Sequence, residues 1–445
     1  MDYLEFAQDT VRSAMRAGAH EAEVYLQIGD EFGVNVRLDE VETLTRSSAK
    51  GLGLRVFVDK RMAFASTTDF HGPVVNDLVK TAVRLAKAAS RDKYNGLPDV
   101  GPGPVTHLNL FDPSIADLSA SRQIEIAREA ERAALGHDPR ITNSYGASFG
   151  GYSGMRIIAN SNGILYSNSG THCGVSCAPV AEQNGEKQAG GYYSTKRFFA
   201  ELDSPAEVGR QAAVRAVQKL GARKVATQKV PVVFDWMVGP VLWDAVFGAL
   251  DAEAVHRGMS FLKRMLGKRI ASPLVSVIDD PLMPGGLGSM PFDGEGILAT
   301  RKVVVEEGIL KMYFYDSRTA RKYGARPAGN SRRGYSGTPS IAPTNFYLEP
   351  TDTDPSEIIR RIRNGFYITD TMGHGVNVIT GDFSVGASGI WIRDGELAFP
   401  VEEVTIAGDM LDMMRSVEQV ANDAKFMSTI VSPTFKIAEM TVSGR

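Results

Sequence analysis

The chain has 445 residues, enough for two domains that each bury a core, and its 43% hydrophobic and 23% charged content is globular rather than coiled-coil, collagen-like or low-complexity. Lys and Arg number 49 against 52 Asp and Glu, a net charge of -3, so no global positive field exists to hold nucleic acid or an anionic membrane. Two cysteines, no eighteen-residue apolar stretch and no basic-then-apolar leader lead us to expect a soluble cytoplasmic protein.

Leu4, Ala7, Val11 and Ala14 recur at helical spacing, and Gly18 is placed to end a first helix. Leu52, Leu54, Val56 and Val58 then alternate with Gly53, Arg55 and Phe57, and Lys60-Arg61 turns the chain back as a hairpin. Helices are predicted over about 73–89 and 119–135. From about 141 to 199 alternation returns, with Gly150-Gly151 and Asn162-Gly163 read as turns. A helix with both ends written in the sequence follows, with Ser204 as N-cap, Pro205 first, Glu207 closing a capping box and Gly221 past its end.

The polar, basic stretch 222–229 reads as a linker. Beyond it come a strand over 230–234, a helix over about 239–250, and hairpins at Glu307-Gly308 and Asp394-Gly395. One short helix is capped by Asp354 and Pro355 and leaves through Asn364-Gly365. The expected fold class is α+β in two domains: a helix-plus-sheet domain over 1–221 and a mainly antiparallel β domain over 222–445.

Metal ligands are scarce, and no His-Glu-x-x-His occurs. His172, Cys173 and Cys177 lie in a strand-and-turn region, where the cysteines read as small core residues on one face. Glu253 and His256 share a helix face and read as a solvated or salt-bridged pair, while His374 sits between two glycines as a loop histidine. Gly51-x-Gly53 and Gly285-Gly286-x-Gly288 lack the context of phosphate loops and read as turns and bulges. Arg318, Arg321, Lys322, Arg326, Arg332 and Arg333 form the one basic cluster, suited to a solvated face or to an acidic partner or peptide carboxylate as well as to nucleic acid.

The tail carries Gly381-Asp382-Phe383-Ser384, Gly389-Ile390-Trp391-Ile392, Pro400 to Gly408 and Asn422-Asp423; upstream stand Pro291 to Gly296 and Ser317 to Lys322, with Ser47 to Val56 near the start. Over nearly the whole chain these runs resemble the TldD/PmbA family. In its TldD-like branch a helical His-Glu-x-x-x-His and a C-terminal cysteine hold a metal; the PmbA-like, or TldE-like, branch lacks them and pairs with a TldD-like subunit. Placed on that pattern, Trp243 stands at the first His, Asp244 at the Glu, Gly248 at the second His and Ser432 at the cysteine.

The resemblance therefore implies an empty metal slot, no cofactor and no catalytic residues of the chain's own. Without a metal the attacking water keeps a pKa near 15.7 rather than about 7, a gap on the order of 12 kcal/mol. Asp244 as a general base would supply only about 10² to 10⁴ in rate. The expected role is that of a non-catalytic subunit of a TldD/TldE-type metalloprotease acting on extended or unfolded peptides, or a homodimer where the partner is missing. Two other readings stay open: a metallopeptidase using a displaced set drawn from Asp251, Glu253, His256 and His374, and a DNA gyrase modulator, an older label of the family.

Overall fold

The computed structural model describes residues 1–373 and 375–444. His374, one of the candidate bases, lies outside the described residues.

The N-terminal half is one antiparallel sheet curved into a half-barrel. Its strands are β1 (Glu21–Arg37), β2 (Glu40–Val58), β3 (Arg61–Thr67), β4 (Ile141–Asn160), β5 (Leu165–Gln183), β6 (Glu186–Ala189) and β7 (Tyr192–Lys196), in the order β3-β2-β1-β4-β5-β6, with β7 also on β5. Side chains alternate between two faces. On one face Val24, Leu26, Leu52, Leu54, Val56 and Ile157 meet Ala7, Val11 and Ala14 of α1 (Tyr3–Arg16) and Val79 and Val83 of α2 (Gly72–Ala88). Farther along that face, past the single-turn α3 (Pro113–Ala116), Phe149, Cys173, Val175 and Cys177 pack on the alanine-rich sides of α4 (Ala120–Leu135) and α5 (Pro205–Val217). Each buried Val, Leu or Phe contributes roughly 1.5–3 kcal/mol through lost water contact, which makes this face the domain's stabilising layer.

The opposite face is polar and rich in glycine. The cross-strand pairs Tyr152↔His172, Gly150↔Gly174, Ser148↔Ser176 and Arg156↔Asn168 all lie on it. Gly150-Gly151 is therefore not a turn but mid-strand in β4, where a Cβ on Gly151 would stand 2.6 Å from the Phe32 ring. Gly51 and Gly53 are likewise mid-strand in β2 rather than turns: a Cβ on Gly51 would meet the Tyr335 ring at 2.1 Å. The β2–β3 hairpin turns at Asp59-Lys60, one residue earlier than expected, with φ of 49° and 63°, the left-handed pair that matches strand twist.

In the C-terminal half β8 (Gln228–Phe234) pairs in parallel with Asn364–Met372 and antiparallel with Phe435–Ser443. The sheet runs on through Asp382–Arg393 and Glu396–Asp409, and Thr405↔Ser443 closes it into a barrel. Asn364-Gly365 opens a strand of this barrel rather than ending the preceding helix, which stops at Arg360. Phe234, Phe366, Phe383 and Phe435 fill the core beneath α6 (Pro240–Ala249). Segments 287–298 and 331–335 then fold back over the lower part of the N-terminal polar face. Among the described residues no helix is long and apolar enough to cross a membrane.

Candidate functional site

Proline at its first position and an apolar sequence set α6 as a buried helix. Trp243 is fully buried, its ring 5.9 Å from Phe435, which in turn stacks on Phe234 at 5.0 Å. Phe247, one turn on, packs against Phe314 at 4.9 Å. Ser432 is also buried and donates its hydroxyl to the Pro433 carbonyl at 2.7 Å. A Cβ on Gly239 would stand 2.6 Å from Ser432 Oγ and 2.9 Å from the Phe435 ring, so Ser432 is wedged between the start of α6 and the ring that Trp243 packs on.

Asp244 and Gly248 instead face the exposed side of α6, where the nearest atom to a Cβ on Gly248 would be Val378 Cγ1 at 3.7 Å. Positions 243 and 248 are about 140° apart around a helix, so the fold gathers Trp243 and Ser432 but not the other two. The donor set does not fit a metal. Indole offers an N–H and no lone pair, and Trp243 Nε1 is buried without an acceptor among the described residues. Gly248 has no side chain, and a neutral hydroxyl is a poor ligand beside thiolate or imidazole.

The residues downstream do not replace the missing ligands. Asp251 caps α7 (Ala252–His256), accepting from the Ala254 amide at 2.9 Å. Glu253 accepts from Lys322 at 2.8 Å, and that ammonium holds its carboxyl below the usual range. His256 stacks on Tyr323 at 3.7 Å, with Nε2 3.0 Å from the Tyr315 hydroxyl. The contacts to Lys322 and Tyr323 dock α7 on α8 (Ser317–Tyr323). Cys173 and Cys177 point into the helix-covered core, where burial pushes both thiols up to about 12, while His172 lies on the opposite face. Among the described residues no three His, Cys, Asp or Glu side chains gather as a metal site.

The basic cluster is divided among separate contacts. Arg318 pairs with Asp92 at 2.7 Å, Arg321 donates to the carbonyls of Tyr94, Gly96 and Leu97, and Lys322 holds Glu253. Arg326 is exposed, and Arg333 stands 2.7 Å from the buried Glu23. Arg332 and Arg333 both line a cavity, and of the two only Arg332 makes no ion pair among the described residues.

Two features escape sequence reasoning. The first is a buried ion network in which Arg55 bridges Glu23 at 3.1 Å and Glu295 at 3.6 Å, beside the Arg333–Glu23 pair. Glu295 also accepts from the Ser317 amide and hydroxyl and from Ser331, and Asp293 accepts from the amides of Glu295, Ile297 and Ser331. Burial and the adjoining Glu295 push the Asp293 carboxyl well up. Pro291 to Gly296 thus latches the C-terminal half onto the N-terminal sheet. Only the motif itself was visible, since its partners lie on strands far away in the chain.

The second is a cavity of about 260 Å³ on the polar face of the sheet, walled by Tyr152, Arg156, His172, Arg197 and Arg332 and by residues 287–289. It adjoins an open trough of about 490 Å³ that shares Tyr152 and His172 and has Gly150, Gly151 and Gly174 in its lining.

Matches to family models run along almost the entire chain: PmbA/TldA metallopeptidase domain 1 over 22–89, the central domain over 113–220 and the C-terminal domain over 227–444. The metalloprotease PmbA of Escherichia coli O157:H7 is 33% identical over 444 residues, covering 99% of this chain and 96% of its own. The chain belongs to the PmbA/TldD metallopeptidase family. A PmbA homologue of Haemophilus influenzae is likewise 33% identical, with 98% and 94% coverage. A crystal structure of a Bacteroides thetaiotaomicron family fold, carrying a DNA gyrase modulator name, superposes with a TM-score of 0.92 at 27% identity over the full length of both chains. TldE of Thermococcus kodakarensis shares the fold, with a TM-score of 0.91 at 21% identity and coverage of 99% and 100%.

Proposed function

We propose that this chain is the non-catalytic, PmbA/TldE-like subunit of a cytoplasmic two-subunit metalloprotease, joining a metal-bearing TldD-like subunit to act on extended or unfolded peptides. The observation that carries the reading is the state of the α6 slot: Trp243 fills it with a fully buried ring and Ser432 is engaged by a carbonyl, so neither position offers a ligand. The full-length likeness to PmbA proteins supports the same branch. The gyrase reading finds little support, since Arg318, Lys322 and Arg333 of the basic cluster are tied up in internal contacts.

The test is an unstructured peptide incubated with zinc and the purified chain, a TldD-like subunit, or both. Cleavage is expected in the mixture and not with this chain alone. Chelator-sensitive cleavage by the lone chain would overturn the proposal.

A further inference from the structure

The cavity on the polar face of the N-terminal sheet is lined by four arginines and a histidine and by no carboxylate. Arg333 is neutralised by Glu23. Arg156, Arg197 and Arg332 make no ion pair among the described residues. Arg197 is fixed by neutral groups only, donating to the carbonyls of Gly286 at 2.9 Å, Leu287 at 2.7 Å and Thr171 at 3.2 Å, so its charge stays uncompensated. The Arg156 guanidinium rests over the Phe292 ring at 5.7 Å, and Arg332 is open to the cavity. Burial, Arg156 and Arg332 pull Arg197 down to about 10, and Arg332 is lowered by burial and Arg156. Like charges gathered in a half-enclosed, poorly solvated space are unfavourable unless an anion joins them.

The surroundings say which anion. Planar guanidinium forks match a carboxylate with paired hydrogen bonds. The cavity continues into the open trough along β4 and β5, which is lined by Ser148, Gly150, Gly174 and Ser176 and flanked by Phe32 and Tyr193. Residues 287–289 wall the arginine end and not the trough, so a peptide lying in the trough would present its terminus to the guanidinium groups.

We propose that Arg156, Arg197 and Arg332 bind the C-terminal carboxylate of an extended peptide whose last residues lie along the trough. The peptide identity rests on the proposed role in proteolysis; the anion site does not.

The test uses the full chain without a partner, titrated with a fluorescent unstructured hexapeptide as free acid, with the same peptide as C-terminal amide, and with inorganic phosphate as competitor. The free acid is expected to bind about tenfold or more tightly than the amide, with affinity falling as salt rises and phosphate competing only weakly. Arg332→Gln is expected to lose about tenfold or more for the acid and little for the amide, and Arg332→Lys to recover part of that loss. Should Arg332→Gln fail to fold, the acid-to-amide ratio on the unaltered chain still decides. Equal binding of acid and amide, no binding of either, or phosphate that the peptide cannot displace would each overturn the proposal. Because no cleavage is measured, this result is independent of the mixing experiment, and either can fail alone.

Discussion

Trp243 and Asp293 illustrate how one side chain is set by its surroundings. At Trp243 a bulky donor-only ring completes an aromatic stack with Phe435 and Phe234, exchanging a polar slot for packing. At Asp293 burial beside Glu295 raises the carboxyl from its ordinary 3.8 to about 7, so between those values the folded protein holds a proton that the unfolded chain has released. Stability linked to this group is fully present below the lower value and is lost as pH rises through the higher one, by a few kcal/mol at most. Asp293→Asn removes that titration. Its melting temperature should fall less steeply than that of the parent between about pH 4 and 7, although losing one acceptor for the three amides lowers it overall. Identical slopes in a pH series of thermal melts would refute this assignment.

Among the elements, those legible in the sequence are the ones whose signals are local. Asp2, Ser119 and Ser204 cap α1, α4 and α5 with side-chain oxygens, and the left-handed pairs at Glu307-Gly308 and Asp394-Gly395 make tight hairpins as their sequences suggest. Glycines inside strands misled the reading because nothing nearby reports what lies above them. Gly53 is the sharpest case: its missing Cβ would stand 2.3 Å from the Tyr335 carbonyl oxygen, a backbone atom that cannot rotate away. Gly53→Ala should lower stability by roughly 1–3 kcal/mol in denaturant titration, whereas Gly101→Ala, with open space around it, should change little. Equal midpoints for the two variants would show that the fit of Tyr335 on β2 is not tight. Barrel closure by Thr405↔Ser443 and the arginine cavity were illegible for a different reason: their members meet only after strands remote in sequence have paired.

Across the whole molecule, the near-neutral charge hides an uneven arrangement. Acids and arginines that cross between the halves are paired in the Arg55 network, while three arginines with no ion pair among the described residues face the cavity beside it. The family resemblance was readable from the motifs, and one of these motifs supplies Asp293 and Glu295 to the latch. The central claim, that the family's metal position has been converted into packing, is tested most directly by elemental analysis of the chain purified without chelator and dialysed against zinc. The account predicts zinc and other transition metals far below one atom per chain. One tightly held equivalent, lost on substitution at Trp243, Asp244 or Ser432, would contradict it.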